Sequence, residues 1–84
     1  VAKETVIQGQ VTRDGAPVAA AYVRLLDASG EFTAEVVTSA TGDFRFFAAP
    51  GDWTLRALAA GARGEQAVCA ERGLNDLRVE LVPA

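Results

Sequence analysis

Residues 41–55 read "TGDFRFFAAPGDWTL". A turn glycine, Gly42, is followed by aromatic residues at alternate positions, Phe44 and Phe46, then by Pro50-Gly51, then by Trp53. Alternation with period two marks a strand with one buried face. Pro presets φ at the second position of a turn, and Gly accepts a positive φ at the third. The segment therefore reads as two strands joined by a fixed corner. Phe44 and Phe46 fill a core, and Trp53 points back into that core from an opposing sheet.

Outward from this segment the same pattern recurs. Short apolar-alternating runs, "ETVIQGQVT", "AAYVRLLD", "FTAEVVTS", "FRFFA", "WTLRALAA", "EQAVCA" and "LRVELV", are separated by the turn-rich "RDGAP", "ASGE", "ATGD", "APGD", "GARG" and "ERGLND". Seven short strands with such connections predict an all-β sandwich. The Ala-rich "RALAAGA" has helical propensity, but Gly61 and Gly64 leave too little length for a stable helix, so it is read as strand. Alternation places Ile7, Val11, Val23, Leu25, Val36, Phe44, Phe46, Trp53, Leu55, Val79 and Leu81 inside. Asp14, Asp27, Asp43 and Asp52 fall at turns, where an Asp carboxylate accepts backbone hydrogen bonds.

Length and charge bound the rest. The 84 residues, 50% hydrophobic and 23% charged, make one domain over residues 1–84 with an ordinary globular balance. A net charge of −3 without runs of one sign lacks the electrostatic footprint of a nucleic-acid or anionic-membrane binder. No apolar run reaches the length of a membrane-spanning helix, and "VAKETVIQGQ" lacks the layout of a signal peptide. The chain does not begin with Met, so it is read as a processed product or part of something longer. One cysteine, Cys69, cannot form an intrachain disulfide, and a reducing cytoplasm is the expected compartment.

The segments "IQGQV", "DGAPV", "AYVRL", "TSATGDFRF" and "PGDWTL", spread over residues 5–58, resemble the carboxypeptidase regulatory-like and transthyretin-like (prealbumin-like) sandwiches. Those share the pattern I-x-G-x-V, D-x-G-x-P-V, A-x-V, T-D-x-x-G-x-F and P-G-x-Y-x-L. Ser39 stands where the pattern has Asp, and Trp53 where it has Tyr. The resemblance implies a seven-stranded Greek-key sandwich, antiparallel or mixed. One sheet would hold "FTAEVVTS", "YVRLLD", "WTLRALAA" and "EQAVCA", and the other "FRFF", "TVIQGQVT" and "LRVELV". The longer string from "YVRLLD" to "TLRAL" also resembles a short actinobacterial family of unknown function. Some of its members are labelled sulfur-metabolism accessories because they occur near thiosulfate sulfurtransferases.

Enzymatic readings fail by residue type. Without His there is no Ser-His-Asp or Cys-His nucleophile and no imidazole metal site, so neither catalysis nor a cofactor is expected. The hydroxyisourate hydrolases of the transthyretin-like group use His residues and a Y-R-G-S tail, whereas this chain ends "VELVPA". The lone Lys3 and Asn75 invite comparison with the isopeptide bonds of related pilus sandwiches. In those domains the Lys lies inside the first strand, near Gln10 and Val11 here, and the assisting acid near Leu55 and Ala57. Cys69, in "AVCAER", has only Arg72 nearby to lower its pKa. It is expected to act as a small buried hydrophobe, with a sulfur-carrier role as the alternative.

What remains is surface. By alternation Tyr22, Leu26, Val37 and Leu58 face outward beside Arg24, Glu35 and Arg56, on the outer face of one sheet. A contiguous patch there would serve a protein partner or a second copy, with Tyr and Arg as anchors; a solvated charge ladder over aliphatic stems is the plainer reading. The expected function is thus a non-catalytic protein-binding or structural module, with a thiosulfate sulfurtransferase as one candidate partner. A carbohydrate-binding module is a further alternative. It would need exposed aromatic platforms, for which only Tyr22, Phe32 and Phe47 are available.

Overall fold

The computed structural model describes residues 4–84. The main strands are β1 (Thr5–Arg13), β3 (Tyr22–Leu26), β4 (Phe32–Val37), β5 (Asp43–Phe47), β6 (Gly51–Ala59), β7 (Ala62–Ala70) and β8 (Gly73–Glu80). Two-residue strands, β2 (Ala16–Pro17) and β9 (Val82–Pro83), close a hairpin and extend an edge. Sheet A holds β5, β1 and β8 with β2 beside the end of β1; sheet B runs β4-β3-β6-β7-β9. The main strands are distributed between the sheets as the sequence resemblance implied. From β5 the chain returns to lay β6 beside β3 and not beside β4, a Greek-key connection.

Pairing is antiparallel except between β1 and β8, which run parallel from Thr5↔Gly73 to Thr12↔Glu80. These strands come from opposite ends of the chain, so no hairpin can join them. Their approach depends on Gly9, since a Cβ there would lie 1.8 Å from the Leu77 carbonyl oxygen and 3.1 Å from the Phe44 ring.

Nine of the eleven residues expected inside are buried: Ile7, Val11, Val23, Leu25, Phe44, Phe46, Leu55, Val79 and Leu81. The other two, Val36 and Trp53, are half-buried at the margin of the core. Val36 lies on the edge strand β4. Trp53 sits near the start of β6, where its indole N–H donates to the Ala49 carbonyl at 2.8 Å. A buried indole needs such a partner, and here the partner is at the corner, which holds the ring at the rim. Ala21, Ala57, Ala62 and Ala70 complete the core.

The turns follow their chemistry. Gly42, at φ +77°, donates to the Ser39 carbonyl at 2.9 Å, and the Ser39 hydroxyl accepts from the Asp43 amide at 3.1 Å. Ser39 thus supports the turn in place of Asp. Asp27 accepts from the Ser29 hydroxyl, then from the amides of Glu31 and Ser29, and these bonds hold its carboxyl below the ordinary range. Gly51 opens β6 at φ +139°, in the range where Gly is favoured but beyond the value of a type II turn. The Ala60-Gly61 turn is tight enough to start β7 at Ala62, with Ala59 opposite; the "GARG" expected as a loop is largely strand.

Candidate functional site

The register of sheet B arranges the outward side chains of β4, β3, β6 and β7 in rows. Val37, Tyr22, Leu58 and Arg63 form one; Glu35, Arg24, Arg56 and Glu65 the next; Phe32, Leu26, Thr54 and Ala67 the third. Tyr22, Arg24, Glu35, Val37 and Arg56 are exposed, and Leu58 is half-buried. The middle row is self-compensating: Arg24 Nε meets Glu35 Oε2 at 2.7 Å, and Arg56 Nη2 lies 3.7 Å from Glu65 Oε1. The Arg24 guanidinium also lies over the Phe32 ring, 6.0 Å from its centroid.

Leu26 departs from the expected patch, being only 5% exposed. A bulge between Leu25 and Leu26 brings Phe32 opposite Leu26, with Thr54 on its other side, and this encloses the leucine within the face. The ladder therefore offers Tyr22 and Val37 at one end and Phe32 at the other, with charges between them.

Cys69 also departs from expectation. It is exposed on the same outer face, opposite Asp52 on β6, and is not a buried core residue. A hydrogen bond to Asp52, then the charge of Asp52, push its thiol above the ordinary value. Fewer molecules carry a thiolate at neutral pH, which works against nucleophilic sulfur chemistry. Lys3 lies outside the described residues. Asn75 is occupied: its amide donates to the carbonyls of Val6, Glu71 and Gly73 and accepts from the Glu71 N–H.

The outer face of sheet A was not singled out by sequence reasoning. Its rows are Phe47–Val6–Leu74, Arg45–Gln8–Asp76 and Asp43–Gln10–Arg78. Phe47 and Leu74 are each 65% exposed. Arg45 donates twice to Gln8 Oε1, at 3.1 and 2.8 Å, and Gln10 donates to the Thr41 carbonyl. Among the described residues, Asp76 and Arg78 make no ion pair. An open recess of about 960 Å³ is bordered by the two Gln and the four charged residues of these rows, by the intervening Gly9, Phe44 and Leu77, and by Val36, Val37 and Ser39 at the β4 edge of sheet B. Strict alternation back from Val79 would have placed Leu74 outward, had β8 been taken to begin at Gly73.

The aromatic platforms are divided, with Tyr22 and Phe32 on the sheet B face and Phe47 on the sheet A face. No group of three or more Cys, Asp or Glu side chains is placed to hold a metal among the described residues. No helix among them is long and apolar enough to cross a membrane.

Fold and surfaces together define a small all-β sandwich whose features of note are its two outer faces. The chain belongs to the DUF1416 family of proteins of unknown function, whose model matches residues 1–81. Two uncharacterized proteins of Mycobacterium tuberculosis are each 69% identical over 67 residues, 79% of this chain and 67% of the relative. An uncharacterized protein of Mycolicibacterium smegmatis is 56% identical over 81 residues, covering 94% of this chain and 90% of the relative. A crystal structure of a DUF3823 family protein from Parabacteroides merdae superposes with a TM-score of 0.76 at 18% identity. The match covers 99% of this chain and 48% of that one, so this chain spans about half its length.

Proposed function

We propose that this chain is a non-catalytic binding module that holds a protein partner on the outer face of sheet B. The observation that carries the reading is the row Glu35–Arg24–Arg56–Glu65 flanked by exposed Tyr22, Val37 and Phe32. Tyr and Arg are the side chains that most often anchor interfaces, and the apolar groups at both ends of the row supply area to bury. The charge order, negative-positive-positive-negative, matches a partner with a central acidic pair. Laid on a second copy with strands aligned, the row would set Arg against Arg and Glu against Glu, so a different protein suits it better. A thiosulfate sulfurtransferase, the neighbour suggested by the family resemblance, is the first partner to try.

The test is co-purification from the native organism and direct titration with that sulfurtransferase. Tyr22→Ala with Arg24→Glu should leave the fold intact, because both side chains are exposed, and should abolish capture. A double variant that retains every wild-type partner would place binding elsewhere. Persulfide formation on Cys69, lost in Cys69→Ser, would favour the sulfur-carrier alternative.

A further inference from the structure

In sheet A, β1 is the central of three long strands, with β5 on one side and β8 on the other. The outward rows through Val6, Gln8 and Gln10 thus each have a β5 residue and a β8 residue in mirrored positions about β1. The rows pair Arg45 with Asp76, Asp43 with Arg78, and Phe47 with Leu74. In each of these three rows the two flanking residues are complementary to one another: opposite charges twice, apolar with apolar once.

A two-fold axis lying along β1 between two facing copies exchanges the β5 and β8 positions. It sets Arg45 over Asp76 of the second copy, Asp43 over Arg78, Phe47 over Leu74, and the residues of β1 over themselves. We propose that two copies of this chain pair face to face through sheet A about this axis. Facing sheets cross at about 30°, and at one strand spacing of about 4.8 Å the resulting offset is smaller than the separation of rows, so the matching survives the twist. The long Arg45 and Arg78 side chains of each copy reach into the recess bordered by the other's Gln8 and Gln10. Asp76 and Arg78, without ion-pair partners among the described residues, gain them across the axis. An isologous contact of this kind closes at two copies.

An axis at right angles to β1 also matches charges, placing Arg45 over Asp43 and Asp76 over Arg78. It would, however, set the Phe47 row against Thr12 and Glu80, the next row along β1 and β8, and leave apolar groups facing a carboxylate. The axis along β1 matches all three rows that β5 and β8 share, and sets Glu80 over Pro17 only in the row beyond them. The footprint, three strands by about four rows, is on the order of 500 Å² per copy, which places the pair in the weak, reversible class.

The test is a concentration series by sedimentation equilibrium. The wild type should pass from monomer to dimer with rising concentration, and the dimer should weaken with added salt. Asp76→Arg sets Arg against Arg45 of the other copy and should abolish the dimer, as should Phe47→Asp. Asp76→Arg combined with Arg45→Asp should restore it. Circular dichroism checks that each variant folds, and Tyr22→Ala with Arg24→Glu, on the opposite face, should dimerise like the wild type. A wild type monomeric up to about 1 mM, where even weak association shows, would overturn the proposal, as would a dimer indifferent to Asp76→Arg. Rescue of Asp76→Arg by Arg78→Asp and not by Arg45→Asp would overturn the axis along β1.

Discussion

The two outer faces carry similar residues in opposite arrangements. On sheet B the charges are satisfied inside one chain, Arg24 by Glu35 and Arg56 by Glu65. On sheet A opposite charges stand on the two strands flanking β1, with Gln8 or Gln10 between them, and the proposed two-fold axis would bring their complements together. Composition does not separate the faces. Register does, because the residue on the neighbouring strand decides whether a charge is neutralised at home or offered to another molecule.

The strongest challenge to this comparison is removal of the core that both faces share. Ile7, from sheet A, and Leu55, from sheet B, are fully buried, and either replaced by Ala should cost about 2–5 kcal/mol. That is a large part of the roughly 4–13 kcal/mol expected for a chain of this size. Trp53 reports on sheet B and circular dichroism on both sheets, so coincident urea transitions are expected. Separate transitions would mean that the faces belong to independently stable layers.

A more selective pair of variants acts on the turns that lead into each face. Gly42→Val, just before β5, meets both a φ of +77° and a contact of 2.7 Å with the Val11 carbonyl oxygen. Gly51→Val, at the start of β6, meets a φ of +139° but open space. Both should destabilise, by more than the ~0.5 kcal/mol typical of a surface change, and Gly42→Val by clearly more than Gly51→Val. Equal denaturation midpoints would show that crowding against β1 is relieved elsewhere.

Smaller still is the coupling within the ion pairs. A double-mutant cycle on Arg24 and Glu35 should give a stability coupling of about 0.2–1 kcal/mol, as exposed pairs do. The same cycle on Arg45 and Asp76 should give none in the monomer and appear only in the association constant. Coupling in the monomeric Arg45–Asp76 cycle would dissolve the contrast between the faces.

The least perturbing test is chemical. Asp52 raises the Cys69 pKa, so alkylation of the native protein should be slow at neutral pH and quicken above the ordinary thiol range. Asp52→Asn removes the largest raising influence, leaving the charge of Glu71, and should shift the rate profile to lower pH with little change in stability. An unshifted profile would mean that Asp52 does not control the thiol.

Much of the fold was legible because it is written locally. The alternation of Phe44 and Phe46, the Pro50-Gly51 corner and the turn glycines identify strands within a few residues of themselves. Sheet membership required the resemblance carried by "IQGQV" and "PGDWTL", since strand order is not a local property. The misplacements have specific causes. Leu26 lies at a bulge, and a one-residue irregularity in pairing leaves no mark on the alternation of its own strand. Cys69 takes its face from the register between β6 and β7, set by the tight Ala60-Gly61 turn that was read as a longer loop. Leu74 was assigned to a connection because β8 begins at Gly73 by pairing with β1, distant in sequence. The self-complementarity of sheet A rests on that same long-range ladder.

The parallel pairing of β1 with β8 also has a mechanical consequence. The start of β1 and the end of β8 lie at opposite ends of a shared ladder running from Thr5↔Gly73 to Thr12↔Glu80. Tension applied between Thr5 and Glu80 would therefore slide the two strands lengthwise past each other. Hydrogen bonds along the ladder would be loaded together, whereas a hairpin pulled open at its free ends loses them one after another. Sheared ladders yield at higher force than unzipped ones, so in a force spectrometer pulling through these two points this small sandwich should resist as a clamp.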